Sequence, residues 1–563
     1  MRFGHLAFIF PVVLASPAMS QTTTPAGPVV HVASGALQGT SQQSITVFKG
    51  IPFAAPPTGP LRWQPPQLPA SWSGVRDATQ FSHPCTQNVH GTDNFIQPLA
   101  ATYGVNYIPE TLDTSEDCLY LNIWTPNLQP AAHLPVMVWL HGGSNRVGSG
   151  AQTAYDGTAL ASRGVILVTI NYRLGVIGFF SHPELTAESQ HHSSGNYGLL
   201  DQIAALQWVR QNIAAFGGDP SNVTLFGESA GSVDATVLMT SPLAGGLFRR
   251  VIAESGPAFG LGPSRTVVQM QPLAVALGKQ AQTASPSSHS QIEALRALPA
   301  AQVAAMEDHL IATDYKGYDP NAAEVDGWVL PRSPSNAYAT GKLLSVDLLA
   351  GFNAREFAAF RVAADAAAKK SPLTGPQPGV GDKLKVFANL ARPLYGNWTD
   401  LAVATYTARI VMHGTPAIDQ ASNDIGAACP TGAEAALTTS AGHHAFVYRF
   451  DRSVPGKGET QLGAFHSLEI PYVFGTFQDR MLNWLPFSAT DQKLGDIIQT
   501  YWTNFAKFGD PNGPGLPQWS PWNTSQEPYM TFSQDGTAVP LTSFSPIFCH
   551  LTPDRLKEQL ANN

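Results

Sequence analysis

A serine set between glycines at the end of a short apolar run is the feature that most constrains how this chain can fold. In Asn222-Val-Thr-Leu-Phe-Gly-Glu-Ser-Ala-Gly231, the run Val223–Phe226 is β-branched and apolar, as suits a buried strand. It leads into Gly227-Glu228-Ser229-Ala230-Gly231, a G-x-S-x-G. Flanking glycines remove side chains that would block a sharp strand-to-helix turn, and such a turn leaves a serine hydroxyl exposed while the next backbone N–H faces a developing oxyanion. The pentapeptide also occurs in ordinary tight turns, so its flanks matter. Beyond it, Val233, Ala235, Val237, Leu238 and Met239 give the apolar spacing of a helix packed on a sheet.

The strands before this turn are of the same kind. Leu134–Leu140 ends in His141-Gly142-Gly143-Ser144, and Gly164–Asn171 is a long unalternating apolar run, as expected of a strand covered on both faces. Between them and the serine strand lies Gly198–Ile213, with Leu199, Ile203, Leu206, Val209 and Ile213 on one helical stripe; Gly217-Gly218-Asp219-Pro220 stops it. Strands and helices therefore alternate as in a doubly wound α/β sheet. Short antiparallel strands are expected over 29–50 and a proline-pinned loop over 50–63. Further strands are expected within 115–126, 346–351 and 444–450, and residues 263–345 read as a cap with helical patches. No linker, repeat or low-complexity block divides 21–563, which reads as one domain.

Composition narrows the function classes. Of 563 residues only 13% are charged, against about 25% in an average soluble domain, while 50 glycines and 45 prolines imply long loops. With a formal charge of −8 and no Lys/Arg run, nucleic acid is not an expected partner. Arg2, the apolar stretch Leu6–Ala15 and Ala18-Met19-Ser20, with small residues at its first and last positions, read as an export signal over 1–20, with cleavage expected before Gln21. No later segment offers about 20 uninterrupted apolar residues, so no membrane span is expected. Cys85, Cys118, Cys429 and Cys549 permit three complete pairings in an oxidising compartment; joining neighbours in sequence gives 85–118 and 429–549.

Several blocks together resemble the type-B carboxylesterase and cholinesterase family of the α/β-hydrolase superfamily. They are Ser115-Glu-Asp-Cys-Leu-Tyr-Leu-Asn122, Asn171-Tyr-Arg-Leu-Gly175, Gly195-Asn-Tyr-Gly-Leu-Leu-Asp-Gln202, Phe216-Gly-Gly-Asp-Pro220 and Gly227-Glu-Ser-Ala-Gly231. The resemblance runs from Phe48 to Asn512. It implies an α/β-hydrolase fold, with a large, mostly parallel central sheet flanked by helices and carrying cap and gorge insertions. It also implies hydrolysis of a small-molecule ester without metal or organic cofactor; oligomeric state stays open. Ser229 stands in the nucleophile's place. Gly351-Phe-Asn-Ala-Arg-Glu356 resembles the family's acid loop, which makes Glu356 the acid, and Gly463-Ala-Phe-His466 resembles its histidine segment. The chemistry needs these types, because a serine hydroxyl attacks only when an imidazole takes its proton and a carboxylate fixes and stabilises that imidazole. Asp326, Asp347, His413, His443 and His444 compete by spacing alone.

The resemblance puts the oxyanion-binding N–H groups at Gly143, Ser144 and Ala230. Here the chain departs from the family: His-Gly-Gly-Gly-Phe is usual, and this chain has His141-Gly-Gly-Ser-Asn145, so Ser144 carries a Cβ that is strained wherever φ must be positive. A second departure is Phe357, where glycine is common after the acid. Glu228 and Ser255 resemble residues behind the histidine and acid. The two cysteine pairs also resemble the family's bridges. No Trp lies between Cys85 and Cys118, where choline-binding relatives place an aromatic, so cholinesterase-like specificity is not expected. Asn222, Asn397 and Asn523 begin sequons in form.

Overall fold

A computed structural model describes residues 27–549, apart from 89, 91, 259–264, 316–322, 546–548 and much of 368–414. The expected export signal, His413 and Asn397 lie outside the described residues. Eleven strands form the central sheet: β1 Thr40–Gln42, β2 Ile45–Pro52, β3 Tyr120–Thr125, β4 Leu134–Leu140, β5 Ile166–Ile170, β6 Gly218–Glu228, β7 Arg250–Glu254, β8 Asp347–Asn353, β9 Ala445–Phe450, β10 Tyr529–Phe532 and β11 Ala538–Leu541. Their spatial order is β11-β10-β9-β8-β7-β6-β4-β5-β3-β2-β1. The seven strands from β5 to β10 pair in parallel, and antiparallel strands close both ends. This is the mostly parallel sheet expected, and its middle strands are apolar runs because helices cover both faces. Every residue of β5 and β7 is buried.

The covering helices are α1 Asp93–Thr102, α2 Tyr197–Asn212, α3 Ala230–Leu238, α4 Val267–Ala284, α5 Gln291–Ala297, α6 Ala300–Thr313, α7 Glu356–Ala367, α8 Thr415–Asn423, α9 Cys429–Ser440, α10 Ile470–Phe474 and α11 Ala489–Phe508. Helices α4 to α6 lie in the stretch expected to form a cap. The stripe Leu199, Ile203, Leu206 and Val209 is buried on α2, and Ile213 is buried just past its end. Strand β2 runs to Pro52, three residues into the stretch expected to be a proline-pinned loop, by pairing Ile51 and Pro52 with β3 across an irregularity after Phe48. The serine strand begins at Gly218, earlier than its apolar core suggests.

Two of the sequence blocks meet in one buried ion pair. Arg173, in the loop after β5, donates through Nε and Nη2 to Asp201 of α2 at 2.7 and 2.8 Å, and through its backbone N–H at 3.0 Å. Removing one partner would leave an uncompensated buried charge, a loss of about 3–5 kcal/mol. Cys85 bonds Cys118 and Cys429 bonds Cys549, with Cα atoms 5.0 and 4.6 Å apart. Among the described residues no helix is long and apolar enough to cross a membrane.

Candidate active site

The parallel register brings the ends of three strands level: Glu254 of β7 is opposite Glu228 of β6 on one side and Gly351 of β8 on the other. Just past Glu228, Ser229 turns the chain into α3 with φ 56° and ψ −124°, a strained conformation for a residue with a Cβ. Both glycines of the pentapeptide are required by space. A Cβ on Gly227 would come 2.5 Å from the Gly231 carbonyl carbon, and one on Gly231 would lie 2.0 Å from the Leu140 oxygen. The Ser229 N–H donates to the Glu254 carbonyl at 2.9 Å, which fixes the turn to the neighbouring strand.

His466 lies 7% exposed between two carboxylates. Its Nδ1 is 2.5 Å from Glu356 Oε2. Its Nε2 is 3.2 Å from an oxygen of Glu228, the residue before Ser229, and among the described residues no hydrogen bond joins the ring to Ser229 Oγ. Such contacts often form only when substrate is bound. Burial alone would lower the imidazole's pKa, but the charges of Glu228 and then Glu356 overrule it and raise it to about 10. Burial raises the Glu228 carboxyl in turn, against the pull of the imidazolium and a hydrogen bond of 2.6 Å from Ser467.

Glu356 is held by backbone and side-chain amides. Glu356 Oε1 accepts the Asn353 N–H at 2.6 Å, while Asn423 accepts the Glu356 N–H at 2.8 Å and donates to the Asn353 carbonyl at 3.1 Å. Behind them, Asn353 Nδ2 donates to Glu469, a fully enclosed acid that burial pushes well above the usual carboxylate range. Ser255 reaches the same acid with a long contact of 3.5 Å. Burial also raises Glu254 to about 8, although Trp502 donates to it at 2.7 Å. Both shifts favour the protonated form of these two acids. Phe357 reaches toward Gly426, and Phe360, one turn on, covers one face of His466 with ring centroids 4.9 Å apart.

The loop after β4 passes beside this turn: a Cβ placed on Gly142 would be 3.1 Å from Ser229 Cβ. Gly143, Ser144 and Asn145 have φ of 108°, 56° and 54°. Ser144 therefore does occupy a left-handed position, where its Cβ is unfavourable. Among the described residues the N–H groups of Gly143, Ser144 and Ala230 donate to no protein acceptor. His141 is kept neutral, its pKa lowered to about 4 by burial; its Nδ1–H donates to the Gly142 carbonyl at 2.8 Å and its ring stacks on Tyr172. Gln87, two residues past Cys85, clamps Gly148 by accepting its N–H at 2.8 Å and donating to its carbonyl at 2.7 Å. A cavity of about 240 Å³, lined by Thr86, Asn88, Asn94, Arg146 and Glu307 among others, adjoins the loop. A larger one, about 790 Å³, is lined by Arg163, Asp479 and Arg480 and contains none of these residues.

The competing residues that the structure describes pair elsewhere. Asp347 stands at the start of β8, the opposite end of that strand from Asn353, and pairs with the exposed His444 at 3.5 Å. Asp326 accepts from Ser193, Trp328 and Leu330. Asn222 accepts from Arg250 at 2.5 Å, and Asn523 caps a turn through Gln526. Sequence reasoning missed Asn353, Asn423 and Glu469 as parts of the site. The signal for Glu469 was a carboxylate in an otherwise apolar stretch three residues past His466. Among the described residues no three His, Cys, Asp or Glu side chains converge as a metal would need.

Comparison with known proteins follows the same lines. A family model described as "Carboxylesterase family" matches residues 26–545. The chain is 34% identical over 533 residues to fumonisin B1 esterase of Sphingopyxis macrogoltabida, covering 93% of this chain and 89% of that protein. It is 32% identical over 580 residues to human neuroligin-2, covering 89% of this chain and 65% of that protein. The crystal structure of the Geobacillus stearothermophilus carboxylesterase EST55 at pH 6.2 superposes with a TM-score of 0.69 at 31% identity, covering 92% of this chain and 98% of that one.

Proposed function

From the premise that the chain belongs to the carboxylesterase family, we propose that it is an exported serine hydrolase that cleaves small-molecule carboxylic esters through an acyl-enzyme. In this reading Ser229 Oγ attacks the ester carbonyl while His466 Nε2 takes its proton. The alcohol leaves with that proton, and water then releases the acid by the same steps with the imidazole again as base. Glu356 fixes the tautomer that keeps Nε2 free and stabilises the imidazolium. Gly143, Ser144 and Ala230 offer N–H groups to the tetrahedral oxyanion. Glu228 and Ser255 stand behind them, one against the imidazole and one against Glu469. The two disulfides and the signal-like residues 1–20 support export.

The observation that carries the reading is the buried 2.5 Å contact of His466 Nδ1 with Glu356, which turns Nε2 toward the Glu228-Ser229 turn. The similarity to fumonisin B1 esterase brings bulky natural esters within the substrate range to be tested, alongside amides, carbamates and polyesters, which the same machinery serves. The similarity to neuroligin-2 favours a recognition protein as the second reading, but it is no stronger than the similarity to esterases, and this chain retains serine, acid and histidine. Labelling with a fluorophosphonate probe followed by peptide mapping separates the two. A stoichiometric adduct on Ser229 is expected; a protein that stays unlabelled is a recognition module.

A further inference from the structure

The loop that follows β4 sets two consecutive side-chain-bearing residues, Ser144 and Asn145, in the left-handed region. Asparagine tolerates this conformation and serine does so less readily. Something outside the loop must therefore hold the pair in place, and the hydrogen bonds show what does. The Asn145 carbonyl accepts the Gly175 N–H at 2.7 Å. Its side-chain Nδ2 donates to Asp234 Oδ1 at 3.2 Å, and Asp234 Oδ2 accepts from Gln202 Nε2 at 2.6 Å. Asn145 is 4% exposed, while Asp234 and Gln202 are fully enclosed. Asp234 lies five residues past Ser229 on α3, the helix whose first N–H is that of Ala230.

One carboxylate thus ties together the two segments whose N–H groups must meet on a single oxygen: Gly143 and Ser144 from the loop, and Ala230 from the helix. We propose that Asp234 and Asn145 are positioning residues that lock the oxyanion loop to the nucleophile helix and so allow Ser144-Asn145 to stand where the resemblance leads one to expect Gly-Phe. Glu356 and His466 play no part in this tie, and both Asp234 and Asn145 are buried. Asp234 accepts from two amides on two elements, α2 and the loop, so losing it frees the loop from both α2 and α3 at once. The consequence is specific: the transition state, which bears the oxyanion, loses stabilisation, while the uncharged ester in the ground state loses little.

This inference rests on the serine-esterase reading, which the wild-type rate in the same series tests separately. The experiment compares hydrolysis of p-nitrophenyl butyrate by the wild type, Asp234→Leu, Asp234→Asn, Asn145→Ala and Asn145→Ala/Asp234→Leu, with the folded fraction of each measured by circular dichroism. Displacing one N–H donor rather than deleting it should lower kcat by about 10- to 100-fold, below the loss of about 100- to 1000-fold on outright removal. KM should stay within threefold in Asp234→Leu and Asn145→Ala. Asp234→Asn keeps an acceptor for Asn145 and should retain most of the rate. The double variant should be no slower than the worse single one, because both break one tie. If the single variants keep kcat within twofold, or lose it only in proportion to the unfolded fraction, the lock is refuted. Should Asp234→Leu fail to fold, Asn145→Ala against Asp234→Asn makes the same comparison.

Discussion

One imidazole is held from both sides by carboxylates, Glu356 at Nδ1 and Glu228 beside Nε2, and this sets the chemistry's pH range. A general base works in its neutral form, and the neutral fraction grows as pH rises through the pKa. With His466 raised to about 10, chiefly by Glu228 once burial has been overcome, the rising limb of the kcat/KM profile should lie in the alkaline range, well above an unperturbed histidine. Glu228→Gln removes the largest raising charge, so the limb should move to lower pH; a limb that stays put would show that Glu228 does not govern the imidazole. At this scale the candidate serine, acid and histidine could be nominated because each stands in a short segment of recognisable composition. Glu469, Asn353 and Asp234 were not, since each acts through a partner on another element: Glu469 lies 116 residues from the asparagine that donates to it, and a lone carboxylate in an apolar stretch carries no local mark of that partner.

Among elements, the acid loop depends on a segment with little sequence signature. Asn423 closes α8 and is followed by a π-helical turn, Asp424–Ala428, before α9 begins at Cys429. Such turns interrupt regular α-helix pairing and often accompany functional sites; this one is next to the side chain that holds both the Glu356 N–H and the Asn353 carbonyl. Asn423→Ala leaves those two buried groups unpaired, so unfolding in urea should show a loss of about 1–3 kcal/mol together with a lower kcat. An unchanged urea midpoint would mean that the acid loop holds itself. The strands were legible from their uninterrupted apolar runs, and α2 from its stripe. The helices of 415–440 were not, because Ala and Thr dominate and no apolar stripe recurs at helical spacing.

Across the whole molecule, the chain passes from β4 to β5 on one side and returns across β4 to lay down β6 on the other. The loops after β4 and β6 therefore part at the carboxyl edge of the sheet, and a crevice at such a reversal is where open α/β sheets bind ligands. The proposed oxyanion loop and the Ser229 turn are those two loops. The alternation of strands and helices made this topology readable in advance, whereas the strained pair Ser144-Asn145 and its tie to Asp234 depend on contacts 89 residues apart. The central claim is that the hydroxyl at this reversal carries the acyl group. Its most direct test is the rate of p-nitrophenyl butyrate hydrolysis by Ser229→Ala against the wild type at equal folded fraction. A fall of about 10⁴-fold or more is predicted, by comparison with serine-nucleophile removals elsewhere, and turnover within tenfold of the wild type would contradict it.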